Sequence, residues 1–535
     1  MKEHFRQSMA WLHTWAGLVT GWVLFFIFVI GTATYFHMEI TRWMRPELPL
    51  RPAQQTVPTT QAVQTAFGFL ARQSDSATGW QITLPNDGRR IGCGEACGSQ
   101  QRGYSNDLTV SWSGLSERLD AVTREALPPP PAVRETEGGM LFYEVHYQLH
   151  YIDAATGMTI VSIATLLSLL VLITGIVVHK NIFKDFFTFR PSKGQRSWLD
   201  GHNLSSVMAL PFFVMIVYSG LALQSYMPKP LLHTPKPVQP AQPTPHEAVP
   251  VKYADVPIVQ IVEHAERMMG SGEIGSIKLT QLPEHGPLIE IQRPHGVEWP
   301  LKSRYGSHLY FNATTGELLD IPYTFGQKPA HQALWFFTIF HMAWFAGTGL
   351  RWLLFLSGLL GCVMIGTGMV LWAVKRREKQ ARLGNASFGL RLVERLNIGV
   401  LVGLPVGVAA YFWANRLLPV TMFERAEWEA HCLFLTWAWV LLYAALRPVK
   451  KAWLETLWLA TAAFVLIPVL NWLTTDKHLG ATISHGDWVL AGLDLTMLAL
   501  ATVFGFIAWK LRRKWASIPA TRADATPARV GEARI

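Results

Sequence analysis

The chain has 535 residues, 50% of them hydrophobic and 16% charged, with a net charge of +10. That apolar share excludes a soluble enzyme of this length and implies a polytopic membrane protein. The positive balance calls for no nucleic-acid partner, because the basic residues fall where membrane topology puts them.

In chain order, runs apolar enough to cross a hydrocarbon core of roughly 30 Å are predicted at about Met9–Phe36, Met158–His179, Leu204–Leu223 and Trp352–Val374. Four more follow, at about Ile398–Leu418, Cys432–Leu446, Trp453–Leu473 and Trp488–Leu511. Lys2 and Arg6 precede the first span, and Lys180, Lys184, Arg190, Lys193 and Arg196 join the second to the third. Lys375, Arg376, Arg377, Lys379, Arg382, Arg391 and Arg395 join the fourth to the fifth, and Arg447, Lys450 and Lys451 the sixth to the seventh. Lys510, Arg512, Arg513 and Lys514 follow the eighth. Since Lys and Arg collect on the cytoplasmic side of short loops, both termini are expected there. The opening apolar run is too long for a signal peptide and is read as a retained span.

The predicted boundaries are a first span over 1–36, an outer module over 37–145 and spans two and three with their basic loop over 146–223. A proline-rich tether and second outer module follow over 224–330, the fourth span over 331–377, four additional spans over 378–514 and a disordered tail over 515–535. The second outer loop opens with a stiff spacer, Pro228 to Pro250. A helix is then predicted at Ile258–Met269, with strands at Ile274–Leu282, Pro287–Arg293 and His308–Phe311 and a turn at 312–317, a small α+β order. The first loop is a weaker copy, with a helix at Thr60–Ala71 and strands near Trp80–Leu84 and Leu108–Trp112. Cys93 and Cys97 lie there; a local disulfide is expected, with a metal site as the alternative. Gly270 to Gly275 fits G-x-G-x-x-G but follows a helix rather than a strand, so it carries no nucleotide reading.

The first four spans read as a duplicated two-span unit. His13 precedes Gly31-Thr32, His150 precedes Thr174-Gly175, His202 precedes Ser219-Gly220 and His341 precedes Thr367-Gly368. His13 to Gly31 and His202 to Gly220 are both 18 residues; His150 to Gly175 is 25 and His341 to Gly368 is 27. With the expected topology, His13 and His202 lie near the cytoplasmic face, and His150 and His341 near the outer face. Ionisable residues at span ends mark pathways or ligands, and neutral imidazole is a standard axial ligand of haem iron. The small pairs remove bulk, so a porphyrin or a neighbouring helix can approach closely. Against this stands the plain reading that interfacial histidines snorkel or hydrogen-bond and that small pairs pack helices. Four in register across a duplication favour the ligand reading. His146, four residues before His150, and His179, ending the second span, are secondary candidates; His37 and His331 are expected at the outer surface or against a substrate. No C-x-x-C-H motif is present, so a haem here is b-type.

Trp11-Leu12-His13-Thr14-Trp15-Ala16-Gly17-Leu18, Leu172-Ile173-Thr174-Gly175-Ile176-Val177-Val178-His179, and Ser197-Trp198-Leu199-Asp200-Gly201-His202-Asn203 running into Ala209-Leu210-Pro211-Phe212 are motifs that resemble the PepSY-associated transmembrane family. Phe340-His341, Leu350-Arg351-Trp352 and Gly366-Thr367-Gly368-Met369-Val370-Leu371-Trp372 complete the set, and the resemblance covers about Met1 to Arg377. It implies a mainly α membrane protein in which about eight transmembrane helices carry two outward-facing α+β PepSY-like modules. It also implies a bacterial inner-membrane ferric-siderophore reductase with two b-type haems, its iron ligands at the positions His13, His202, His150 and His341. The expected partners are a ferric siderophore or other ferric chelate in the periplasm, a separate cytoplasmic donor or quinol, and the lipid bilayer. No catalytic residue is assigned. Glu429, His431, Asp487 and Asp494 are the polar candidates of the last four spans. A siderophore or metal permease, or a cofactor-free scaffold, are the competing expectations; Pro405 and Pro468 are the only hints of the broken helices a permease uses.

Overall fold

The computed structural model describes residues 3–50, 57–85, 108–129, 131–179, 190, 194–226, 249–282, 285–293, 308–321, 329–343, 346–381 and 387–516. Cys93, Cys97, most of the proline-rich tether and the C-terminal tail lie outside them. The chain divides into two compact units, Met1–Trp372 and Ala373–Ile535.

In the first unit, α1 (Glu3–Thr34) runs into a short α2 (His37–Trp43). α4 (Met140–Gln148) precedes the span α5 (Ala154–Val178). Asp153 starts α5 by accepting a hydrogen bond from Thr156 N at 2.9 Å, which satisfies one of the orphan amides of the first turn. The third predicted span is not one straight helix. It is α6 (Gln195–Met208) and α7 (Leu210–Tyr226), bent by 69°. Pro211 accounts for the break, because it has no N–H to donate and its ring collides with the carbonyl four residues earlier. α9 (Pro329–Met342) then leads into α10 (Thr348–Ala381). Seven helices of the described chain are long and apolar enough to cross a membrane, and the bent α6–α7 pair makes eight. Phe28 of α1 and Phe213 of α7 meet edge to face at 6.2 Å, joining the two halves of the repeat.

The two outer loops do not fold apart. Their strands form one seven-stranded antiparallel sheet in the order β4-β3-β2-β6-β7-β8-β9. β2 (Trp80–Thr83), β3 (Leu108–Trp112) and β4 (Leu115–Leu119) come from the first loop; β6 (Ser276–Leu282), β7 (Gly286–Gln292), β8 (His308–Asn312) and β9 (Leu318–Leu319) come from the second. The leading strands β2 and β6 pair at the centre, Ile82 opposite Ile277. β1 (Ser76–Ala77) and β5 (Val251–Lys252) pair in the same symmetric sense. The duplication seen in the spans thus recurs in the sheet.

Strand periodicity decides the faces. Val110, Ile82, Ile277, Ile291 and Leu309 stand in cross-strand register and are buried, whereas the neighbouring row Gln81, Lys278, Glu290 and Tyr310 points the other way. Against the apolar face pack α3 (Thr59–Gln73), through Val63, Ala66 and Leu70, and α8 (Ile258–Met269), through Ile258, Ile261, Val262, Ala265 and Met269. The spacing of those α8 residues is the one-faced helical stripe that a single core selects. The glycines after it also find their role here. Gly270 ends α8 at φ +104° and Gly272 turns at φ +72°, both left-handed conformations that glycine adopts without strain.

In the second unit, α11 (Phe388–Leu401), α12 (Gly403–Leu417), α13 (Arg425–Leu446), α14 (Val449–Thr474) and α16 (Trp488–Ala516) pack together, with the short α15 (Leu479–Ser484) before the last.

Candidate functional site

Four histidines of the first unit repeat one local arrangement. His13 on α1 points at the small pair of α5: its Nδ1 lies 2.9 Å from Val171 O, and a Cβ on Gly175 would stand 3.0 Å from the ring. His202 on α6 does the same on α10, with Nδ1 2.8 Å from Met364 O and the ring 3.0 Å from a Cβ on Gly368. His341 on α9 places Nδ1 2.9 Å from Ser219 Oγ and its ring 3.0 Å from a Cβ on Gly220 of α7. His146 on α4 sets Nδ1 3.0 Å from Ile27 O of α1 and presses on Gly31 so closely that a Cβ there would overlap the ring. In the three carbonyl cases the acceptor is the residue four before the glycine, so the missing side chain is what lets the ring reach the helix backbone.

These contacts select a tautomer. A carbonyl only accepts, so Nδ1 of His13, His146 and His202 carries the hydrogen and the lone pair belongs to Nε2. His341 follows suit, because Ser219 Oγ donates to Met215 O at 2.6 Å and is left to accept from the ring. The Thr174 and Thr367 hydroxyls donate to Leu170 O at 2.8 Å and Val363 O at 2.6 Å, and also lie 3.0 Å from Val171 O and Met364 O. An imidazole anchored through Nδ1–H with Nε2 available is the arrangement of a metal-ligating histidine with its supporting hydrogen bond.

The rings then meet in pairs, one from each half of the repeat. His13 and His202 have centroids 6.4 Å apart, and His146 and His341 6.2 Å. Two imidazoles on opposite sides of one metal, each bonded at about 2 Å with the ring centre about 1 Å beyond the nitrogen, have centres about 6 Å apart. Among the described residues no group of three or more His, Cys, Asp or Glu is placed to hold a metal. Two neutral nitrogens are too few for a bare ion, but they are the full protein share for an iron that brings four equatorial ligands in a porphyrin. On the donor set and the spacing, both pairs fit that group. On α1 the contacts of the two pairs, His13 and Gly31, are 18 residues apart, roughly 27 Å of helix rise. One pair therefore lies at the basic-loop end of the spans and the other at the sheet end.

One sequence-based expectation is corrected. His150 does not face His341; His146 does. α4 ends at Gln148, Leu149 and Tyr151 reverse the chain at φ +62°, and His150 lies within that reversal, its ring edge-on to Tyr151 at 4.2 Å. His13, His202 and His341 come together with a partner as described. His179 ends α5 as its C-cap residue, near the His13–His202 pair. His37 is half-buried rather than superficial: its Nδ1 bonds Thr34 O at 2.8 Å and its ring lies 6.2 Å from Tyr143. The side chain of His331 lies outside the described residues.

Two of the four polar candidates of the second unit, Glu429 and Asp494, belong to one bonded network. Asn415 Nδ2 donates to Glu429 Oε1 at 2.7 Å, Arg416 Nε to Asn471 Oδ1 at 3.1 Å and Asn471 Nδ2 to Asp494 Oδ2 at 3.1 Å. Arg425 pairs with Glu429 and donates to Asn415 O at 2.7 Å, while Arg416 also reaches Asn415 Oδ1. All six side chains are buried, and the chain of bonds ties α12, α13, α14 and α16 together. Asp487 starts α16, accepting from Leu490 N at 3.4 Å. His431 is partly exposed beside Glu427 at 3.8 Å.

Residues 10–375 match the PepSY-associated TM region, and the chain belongs to that family. The match ends close to the end of the first unit, so the second unit lies beyond it. No curated protein matches the chain.

Proposed function

We propose that this multi-pass member of the PepSY-associated family is a b-type haem reductase of the bacterial inner membrane. On this reading it moves electrons from a cytoplasmic or quinol donor to a ferric chelate in the periplasm. The observation that carries the reading is the pair of facing imidazoles at each end of one helical frame, 6.4 and 6.2 Å between centroids. His13 with His202 would hold one haem and His146 with His341 the other; a haem supplies a reversible one-electron couple.

The chain's own groups do the rest. The Nδ1–H bonds to Val171 O, Ile27 O and Met364 O, and to Ser219 Oγ, fix ring rotation and raise the basicity of Nε2. Basic loops at the His13–His202 end orient that end toward the cytoplasm, and the sheet domain then faces the periplasm, where the chelate docks. Each ferric ion takes up one electron, and oxygen-rich siderophores hold the softer Fe(II) poorly, so iron is released.

The decisive experiment is the absorption spectrum of the purified full-length protein. About two haems per chain are expected, with a Soret band that shifts on dithionite and shifts back when a ferric chelate is added, Fe(II) appearing in a ferrous-specific trap. A haem-free protein would overturn the reading. One observation favours a permease instead: the 69° break at α6–α7 lies inside the histidine frame, and transporters build sites at broken helices. Accumulation of intact ferric chelate in vesicles, without Fe(II), would support that alternative.

A further inference from the structure

Tyr35 directly follows the last residue of α1, at a turn closed by Phe36 N to Ala33 O at 3.0 Å, and Phe36 then caps α2. It stands four residues after Gly31, so it lies on the helix face that His146 packs against, about 6 Å farther toward the sheet end. Its hydroxyl is buried and has no hydrogen-bond partner among the described residues. The adjoining Phe36 carries the Arg351 guanidinium 4.7 Å above its ring. Arg351 pairs with Glu39 through Nη2, but its Nε is likewise buried without a partner. The phenol hydroxyl has one hydrogen to donate, so an acceptor would complete it. Buried polar groups are almost always paired, and an orphan calls for a partner.

We infer that Tyr35 donates its hydroxyl to a carboxylate arm of the porphyrin held between His146 and His341, anchoring that haem by its acidic edge. The inference rests on the reductase reading. Haem b is amphipathic, and its two propionates are anionic hydrogen-bond acceptors. Tyr35 lies on the sheet side of the histidines, the direction in which an acidic edge would leave the hydrocarbon for water. Tyr35 is then a cofactor-anchoring residue rather than a catalytic one.

The test is haem transfer from the full-length protein to excess apomyoglobin, followed by the Soret band. A His13→Ala background retains the sheet-side haem alone and identifies its phase. Tyr35→Phe is expected to speed that phase about tenfold, the scale of a lost hydrogen bond to a charged acceptor, and to leave the other phase unchanged. With the porphyrin dimethyl ester loaded instead, the acceleration by Tyr35→Phe should shrink to about threefold or less, because an ester carbonyl still accepts but carries no charge. Unchanged release from Tyr35→Phe would overturn the inference while leaving the reductase reading intact. An acceleration that is undiminished with the ester would also overturn it, by showing that Tyr35 acts through packing. A wild type that binds no haem at either pair would remove the function and this inference together.

Discussion

The two units bury polar groups among apolar helices and complete them in opposite ways. In the second unit Arg416, Arg425, Glu429, Asp494, Asn415 and Asn471 bond to one another, two cations against two carboxylates. In the first unit each of the four histidines uses one nitrogen on a partner helix and turns its ring toward a second histidine from the other half of the repeat. The network of the second unit joins charged and amide groups across four helices, whereas the histidine contacts of the first unit bring matched rings of the repeat together. The two units therefore differ in what their buried polar groups meet rather than in burial alone.

The largest expected effect comes from breaking one ring pair. On the proposed reductase reading, His146→Ala should lower haem content from about two to about one per chain, whereas His150→Ala should keep both; equal loss from the two variants would place the ligand outside α4. Gly31→Val asks the same question through packing, since any Cβ there overlaps the His146 ring. It should lose the sheet-side haem with all four histidines intact, while Gly389→Ala, at a glycine with open space around it, should lose none.

The second unit should respond in stability rather than in spectrum. Arg425→Ala leaves Glu429 charged and buried, and breaking such a pair costs about 3–5 kcal/mol. The double variant Arg425→Met with Glu429→Leu should lie closer to the wild type than either single change. Thermal melts of the full-length protein check the order, and the Soret band should remain at wild-type intensity for any variant that stays folded. A haem loss that tracks Arg425→Ala would erase the contrast between the units.

Much of this frame was legible beforehand, for identifiable reasons. Span positions follow from apolar length, and α8 was read to the residue because Ile258, Ile261, Val262, Ala265 and Met269 make a stripe with one solution. The choice between His146 and His150 was not legible by spacing. His341 is 27 residues from Gly368, His150 is 25 from Gly175 and His146 is 29, so both candidates miss the repeat by two. The deciding signal was local: Leu141, Phe142 and Val145 have helical spacing and bury together, which puts His146 inside a helix and His150 past its end. The bend at Pro211 was available from the residue itself but masked by an unbroken apolar run. The pairing of β2 with β6 was out of reach, since nothing in either loop names the other as its partner. The small pairs read as space in the sequence, but nothing there names the histidine that each one seats.

The smallest effect lies in the sheet domain and sharpens the comparison from outside the membrane. His308 Nδ1 lies 2.7 Å from Glu290 Oε1 on neighbouring strands. That hydrogen bond, aided by the charges of His308 and Lys278, holds the Glu290 carboxyl below the usual carboxylate range. A carboxyl lowered in the folded state adds stability that is fully present above its unfolded value, about pH 4.3, and is lost as pH falls through the lower folded value. Amide hydrogen exchange across β7 and β8, corrected for intrinsic rates, should therefore show protection falling below about pH 4 in the wild type. Glu290→Gln should flatten that slope by less than about 1 kcal/mol, the scale of a partly exposed pair. Exchange at the histidine helices should be indifferent to the substitution, because nothing there shares the charge. Superimposable wild-type and variant profiles in β7 and β8 would mean that the His308 contact does not tune this carboxyl in solution.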